Sequence, residues 1–195
     1  MSNQPHPRFV HPKQDPRLGI DIGRVIIAPS EARGDTSFLN GTDEQAMKTP
    51  PNKDSFEAIA QLVKHFNGKV WLVSKAGQKV SMRTRQWLRE WDFYKQTGVP
   101  AENLYFCKER ADKRGICERL RITHFIDDRL DVLSHMRGLV SSLYLFGPQP
   151  QRPAIEWVQP VLSWRAVLEK FSLGLDARVA EESAHKPDHR SLGNV

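Results

Sequence analysis

Four short stretches place residues capable of chemistry at the ends of apolar runs. "LGID" stops at Asp21, with Gly23 two residues on; "VWLVS" stops at Ser74, followed by Lys75; "CKERADK" holds Lys108 and Lys113; "THFIDD" stops at Asp127 and Asp128. Carboxylates from different strands that meet in one crevice repel one another unless a cation joins them. Mg²⁺ suits such a site, because it takes few carboxylates and keeps waters or phosphate oxygens. A serine at a strand end, just ahead of a helix, can offer its hydroxyl and nearby backbone N–H groups to a phosphate oxygen. A lysine can then hold the nucleophilic carboxylate and the phosphoryl group, where charge spreads over the equatorial oxygens. Lys113 is preferred to Lys108 for that place because it opens the short helix that leads into the acidic strand. The chemistry these residue types allow is phosphoryl transfer.

Positioning them requires strands that end side by side. Residues 17–27, "RLGIDIGRVII", read as a first strand, and "KDSFEAIAQLVKHF" sets Phe56, Ile59, Leu62, Val63 and Phe66 on one helical stripe. "GKVWLVS" is a short buried strand opened by a glycine turn, and "QKVSMRTRQWLREW" is a helix with Val80, Met82, Trp87, Leu88 and Trp91 as core contacts. "NLYFC", "ITHFID" and "VSSLYLFG" read as strands, "DKRGICERL" and "RLDVLSHMRG" as helices, and "PVLSWRAVLEKF" as a closing helix. Helices alternating with nearly continuous apolar strands imply a mainly parallel sheet in a three-layer α/β/α sandwich. In that architecture ligands sit beyond the carboxyl ends of the strands, where the residues above fall.

The chain of 195 residues is 39% hydrophobic, which suffices for one core and therefore one domain. We expect that domain over 17–172, with a disordered N-terminal segment at 1–16 and a disordered tail at 173–195. No apolar run nears the roughly 20 residues a membrane span needs, and no signal-peptide core is visible, so a soluble cytoplasmic protein is expected. Two cysteines, Cys107 and Cys117, are too few for a disulfide framework and lack ligand spacing. The net charge of +6 favours anionic partners, a nucleic acid or another polyanion among them, although the basic stretches also carry acids and apolar residues as solvated helix faces do. His124 falls within a strand and reads as a packed residue; His65 and His135 fall on helices. The tryptophans fit core stripes better than a base-stacking platform.

The four motifs, in this order over roughly residues 17–147, resemble the haloacid dehalogenase superfamily, most of whose members are Mg²⁺-dependent phosphohydrolases working through an aspartyl-phosphate. "GIDIGRV" is similar to the family's first motif with Gly23 in place of its second aspartate, "VWLVS" to its second, Lys113 to its lysine and "HFIDD" to its paired acids. The resemblance implies Asp21 as nucleophile and Mg²⁺ ligand, the Gly23 carbonyl, Asp127 and Asp128 as further metal ligands with Asp131 as an outer possibility, Ser74 and Lys75 on the phosphoryl oxygens, and Lys113 fixing Asp21. It also implies a phosphorylated substrate. The acid that Gly23 replaces protonates the leaving oxygen and activates water in family phosphatases, and losing such a group costs about 10²- to 10⁴-fold in rate. An acid from the loop, Glu31, Asp35 or Asp43, is one replacement; a catalytically silent domain with a binding or regulatory role is the alternative. Between Ile27 and Asn52 there is room only for a loop or small hairpin over the cleft. "GIDIGRV" also looks somewhat like the phosphate loop of sugar kinases and actin-like ATPases, whose duplicated domain this chain is too short to hold. Taken singly, Asp21, Ser74 and the acid pair read as helix caps and Lys113 as a surface charge; their common placement is what points to a site.

Overall fold

A computed structural model describes residues 15–29, 39, 41–149 and 155–175. Six parallel strands form one sheet in the order β3-β2-β1-β4-β5-β6: β1 Leu18–Ile20, β2 Val70–Lys75, β3 Leu104–Cys107, β4 His124–Asp127, β5 Ser142–Phe146 and β6 Gln159–Val161. Among the described residues seven α-helices accompany them: α1 Asp43–Met47, α2 Ser55–His65, α3 Gln78–Glu90, α4 Phe93–Thr97, α5 Lys113–Leu120, α6 Leu130–His135 and α7 Trp164–Lys170. The expected α/β/α sandwich is the architecture found. Its two cores follow from the pleat, which sends alternate side chains to opposite faces. Val70 and Leu72 of β2 and Tyr144 and Phe146 of β5 join the core that includes residues of α2, α3, α4 and α7. Trp71, Val73, Leu143 and Leu145 join the opposite core, with Ile116 and Cys117 of α5 and Val132 and Leu133 of α6.

β1 lies at the centre, pairing Leu18 with both Val70 and His124. Successive connections leave β1 first toward β2 and β3 and later return to β4 on its other side, so the strand order reverses between β1 and β4, where ligands bind in open α/β sheets. Gly19 has a specific reason to be glycine: a Cβ there would stand 2.4 Å from Phe125 Cδ2, so the bare backbone lets that ring lie across β1.

The first strand is shorter than its apolar run suggests. After Asp21 the chain winds into a tight turn in which the N–H groups of Ile26 and Ile27 both donate to the Ile22 carbonyl, at 2.8 and 3.0 Å. Ile22, Val25, Ile26 and Ile27 are fully buried there, which is why they mimic a strand in the sequence. Arg24 takes a left-handed conformation (φ 63°) inside the turn. Asn52 Nδ2 donates to the carbonyls of Arg24 and Val25, both at 2.8 Å, and Trp164 Nε1 donates to Val25 at 2.9 Å, which fixes the backbone.

Further along, Met82 leaves the expected stripe: it is 58% exposed, while Thr84, Trp87 and Leu88 form the buried face of α3. Arg83 is buried on the same helix and gathers the segment before and into α1, donating to the carbonyls of Leu39 and Gly41 and pairing with Asp43. Of the segment expected to be a loop or hairpin, Ile27 bridges antiparallel to Pro51 and α1 forms under a Thr42 cap. "PVLSWRAVLEKF" divides into β6 and α7, because Pro160 is tolerated at a sheet edge and Ser163 caps the helix by accepting the Ala166 N–H. Leu173 and Leu175 still pack against the core beyond α7. The expected disordered segment before residue 15 and the tail after 175 lie outside the described residues.

Candidate functional site

Each of the four adjacent strands β3, β2, β1 and β4 delivers one part of the site at its carboxyl end. Asp21 follows β1 directly and its N–H donates to the Ile126 carbonyl at 2.9 Å, which holds it against β4. Ser74 stands one residue before the end of β2 and is 4% exposed. Beyond β3, the loop carries the chain to α5, whose first residue is Lys113. Asp127 ends β4 with no exposed surface, and Asp128 follows it. The cleft is lined by Asp21, Gly23, Ser74, Lys75, Lys113 and Asp128, together with Arg24, Arg110 and Arg129. Asp127 lies beneath, its Oδ1 accepting the Arg129 N–H at 3.0 Å.

The centre of the arrangement is Lys113. Its ammonium stands 2.7 Å from Asp127 Oδ2, in a hydrogen bond, and 2.8 Å from Asp21 Oδ1. The second contact is an ion pair rather than a hydrogen bond, since Asp21 Oδ1 is buried without a donor aligned on it. Phe125 supports the ammonium from one side, its ring centroid 5.8 Å away. A lysine in the first turn of a helix opposes the helix dipole, so no local preference explains it; the two carboxylates do. Burial works against the Lys113 charge, yet Asp127 and Asp21 outweigh it and raise the pKa above the ordinary lysine value. Burial pushes Asp127 up while Lys113 pulls against it. The ammonium charge is the firmer of the two, because two carboxylates share it.

Asp128 is pushed up to about 6, by burial first and by Asp21 second, with Arg24, Lys113 and Arg129 opposing. Ligand oxygens of Asp21, Asp127 and Asp128 all lie within 4.8 Å of one another. Three carboxylates share this corner with one buried lysine and, at Asp128, the half-exposed Arg24, and the donor set is all oxygen, so a hard divalent cation of the Mg²⁺ type fits these residues. Gly23 presents only backbone.

The structure thus brings together Asp21, Gly23, Ser74, Lys75, Lys113, Asp127 and Asp128 as expected from the sequence. Lys108 is exposed at the surface and does not line the cleft. Asp43 does not line it either: its carboxylate pairs with Arg83 at the start of α1. Glu31 and Asp35 lie outside the described residues. Asp131 is turned to Arg129, its Oδ1 3.0 Å from Nε, and not to the three acids. The sequence reading missed the arginines that line the cleft. Arg24 Nε stands 3.2 Å from Asp128 Oδ2 with the arginine side chain 43% exposed, and Arg110 and Arg129 join it from the next loops. Their one signal is position, a basic residue within four of each strand end, and that is too common a pattern to stand out.

No protein-family model matches this chain, and no curated protein matches it either. Among the described residues no helix is long and apolar enough to cross a membrane.

Proposed function

We propose that the protein is a haloacid-dehalogenase-like phosphohydrolase or phosphoryl-transfer protein that acts through Asp21 and requires Mg²⁺. The observation that carries this reading is the Lys113 ammonium placed between Asp21 and Asp127 at 2.8 and 2.7 Å, with Asp128 in the same cluster. Asp21, Asp127 and Asp128 would hold the metal, with the Gly23 carbonyl beside them. When bound, the cation would neutralise the acid cluster and draw charge from phosphoryl oxygens. Asp21 would attack phosphorus with a carboxylate oxygen as the bond to the leaving oxygen breaks; water would then cleave the aspartyl-phosphate and release inorganic phosphate. Lys113 orients Asp21 and stabilises charge on the equatorial oxygens, and the Ser74 hydroxyl and Lys75 hold the phosphoryl group.

Gly23 sets the limit on this chemistry. The only acids that line the cleft among the described residues are Asp21 and Asp128, both committed to the cluster. A leaving group that needs little protonation fits such a site, and so does slow opening of the phosphoenzyme. For the same reason a silent domain, kept for binding a phosphorylated ligand or another polyanion, is the second reading. The reading carries a cytoplasmic setting with it, in keeping with free Cys107 and Cys117, whose thiols burial pushes up to about 11 and about 12.

The test needs no substrate. Beryllium fluoride with Mg²⁺ mimics an acyl-phosphate on an aspartate, and binding at a hundred times Kd stabilises a fold by about 2.7 kcal/mol, a rise of roughly 5–10 °C in Tm for a domain of this size. The rise is expected to require both ions and to vanish in Asp21→Asn. A wild type indifferent to the two ions together would sink the phosphoryl reading, and with it the metal site.

A further inference from the structure

The ladder between β4 and β5 ends one residue short of Asp128. Its last pair is Asp127 with Leu145, so Asp128 stands just past the strand. One side chain spans the gap. Gln149 Nε2 donates to the Asp128 carbonyl at 3.2 Å and to the Phe146 carbonyl at 3.1 Å, and a primary amide nitrogen has one hydrogen for each. A side-chain amide thereby takes the place of the next rung and ties the residue after β4 to the last residue of β5.

The chain that carries Gln149 is stiff. Gly147 turns it in the left-handed region (φ 79°), and the Gly147 N–H donates to the Val161 carbonyl of β6 at 2.8 Å. Pro148 has a fixed φ, and the proline that follows Gln149 in the sequence disfavours helical backbone at Gln149 itself. Ordering a long side chain costs entropy that two neutral hydrogen bonds do little more than offset, so the contact contributes place more than stability. Asp128 is the acid that needs it. Asp21 and Asp127 both touch Lys113; Asp21 is also bonded to β4 through its N–H, and Asp127 belongs to that strand. Asp128 pairs instead with Arg24, whose side chain is half-exposed.

We propose that Gln149 is a positioning residue for the acid cluster. By fixing the Asp128 backbone to the end of β5, it keeps that carboxylate among the ligand oxygens of Asp21 and Asp127, which lie within 4.8 Å of it and of one another. Gln149 acts through Asp128 and carries no ligand atom of the site. This role rests on the reading of the three acids as a Mg²⁺ site, and the experiment separates the two.

Mg²⁺ is titrated calorimetrically into the full chain, using wild type, Gln149→Met and Gln96→Met. Methionine keeps the length of the side chain and removes the donor. Gln96 is the control, because its Nε2 donates to the Trp91 carbonyl at 2.7 Å on an exposed part of α4, and it does not line the cleft. Losing a group that orients a metal ligand typically costs about 10- to 100-fold in affinity, and Gln149 holds its ligand through the backbone, so a loss of about tenfold is expected in Gln149→Met. Gln96→Met is expected to stay within about twofold of wild type, as surface substitutions do. Titrations run below the melting transition read the folded protein alone, so a loss of stability by itself leaves the affinity where it was. In carbon-labelled protein the Asp128 carbonyl resonance is expected to shift in Gln149→Met while that of Asp21 stays. A Gln149→Met affinity within about twofold of wild type, or an equal loss in Gln96→Met, overturns the role of Gln149 and leaves the three-acid site standing. If wild type takes up no Mg²⁺, the metal reading falls together with it.

Discussion

Replacing Lys113 with methionine keeps most of the side-chain volume and removes the charge that joins Asp21 to Asp127. The side chain is 3% exposed, and the carboxylates it touches are 10% and 0% exposed, so water cannot replace the ammonium. Breaking a buried pair by removing one partner costs about 3–5 kcal/mol, against a total stability of roughly 5–15 kcal/mol for a domain. The corresponding fall in Tm is roughly 6–20 °C. Lys108→Met, at an exposed lysine five residues earlier, is the control and stays within about 0.5 kcal/mol of wild type. Two companion effects follow from the same charges. Saturating Mg²⁺ raises Tm more in Lys113→Met than in wild type, since the acid cluster then keeps no buried cation and only the half-exposed Arg24 beside Asp128. The deficit also shrinks as pH falls from 7 to 5. The sign is that of acids whose folded pKa lies above the unfolded value: the folded state takes up protons first, so stability is gained on acidification and lost as pH rises through the folded pKa, about 6 for Asp128 already in wild type. Urea denaturation at both pH values, with and without Mg²⁺, reads all of this. A Lys113→Met protein within about 1 kcal/mol of wild type at pH 7, a figure at the level of an exposed ion pair, would refute the account of the cluster.

Gly19→Ala drives a methyl group into the Phe125 ring; overpacking of this kind costs about 1–3 kcal/mol, and because the same ring supports Lys113, Mg²⁺ affinity measured by calorimetry falls with it. Arg83→Ala leaves the carbonyls of Leu39 and Gly41 without their donor, and amide exchange is expected to rise at residues 41–47 well before it rises in the sheet. His124 is held below its ordinary pKa by burial and then by His65, amid the rings of Phe66, Tyr144 and Phe171. Its share of stability is complete above the unfolded value near 6.5 and declines as pH falls below it, so His124→Phe loses less Tm than wild type between pH 7 and 5; an equal loss counts against the assignment.

Much of this arrangement is legible in the residues. β2 and β5 are apolar runs that end on the turn signals expected of buried parallel strands, and the stripe of α2 follows helical periodicity, with Ile59, Leu62 and Phe66 buried as it requires. The candidate site is legible for a related reason, because Asp21, Ser74 and Asp127 each break an apolar run at the end of a strand. What stays hidden is tertiary. The run from Ile22 to Ile27 is apolar to fill a turn that Trp164 and Asn52 close from far away in sequence. Arg83 is buried because carbonyls before α1 receive it, which periodicity on α3 cannot show. β6 is three residues with a proline in the middle, too short for any pattern. The arginines of the cleft are invisible for the opposite reason: arginines near strand ends are ordinary, and only the sheet order makes neighbours of Arg24, Arg110 and Arg129.

The position of β1 has a consequence for how the protein is made. The middle strand of the sheet is the earliest to be synthesised, and its two partners, beginning at Val70 and His124, come much later. At ordinary synthesis rates the interval between Asp21 and Asp127 is on the order of 5–20 s. During it β1, β2 and β3 can assemble as a half-sheet, but one edge of β1 then stands bare, with Asp21 at its end and no lysine or second acid beside it. An open edge of this kind invites pairing with other chains. Only when β4 closes it do the acids and Lys113 come together, so the acid–lysine cluster is completed by the same docking event that seals the sheet, and a half-made chain carries no such cluster.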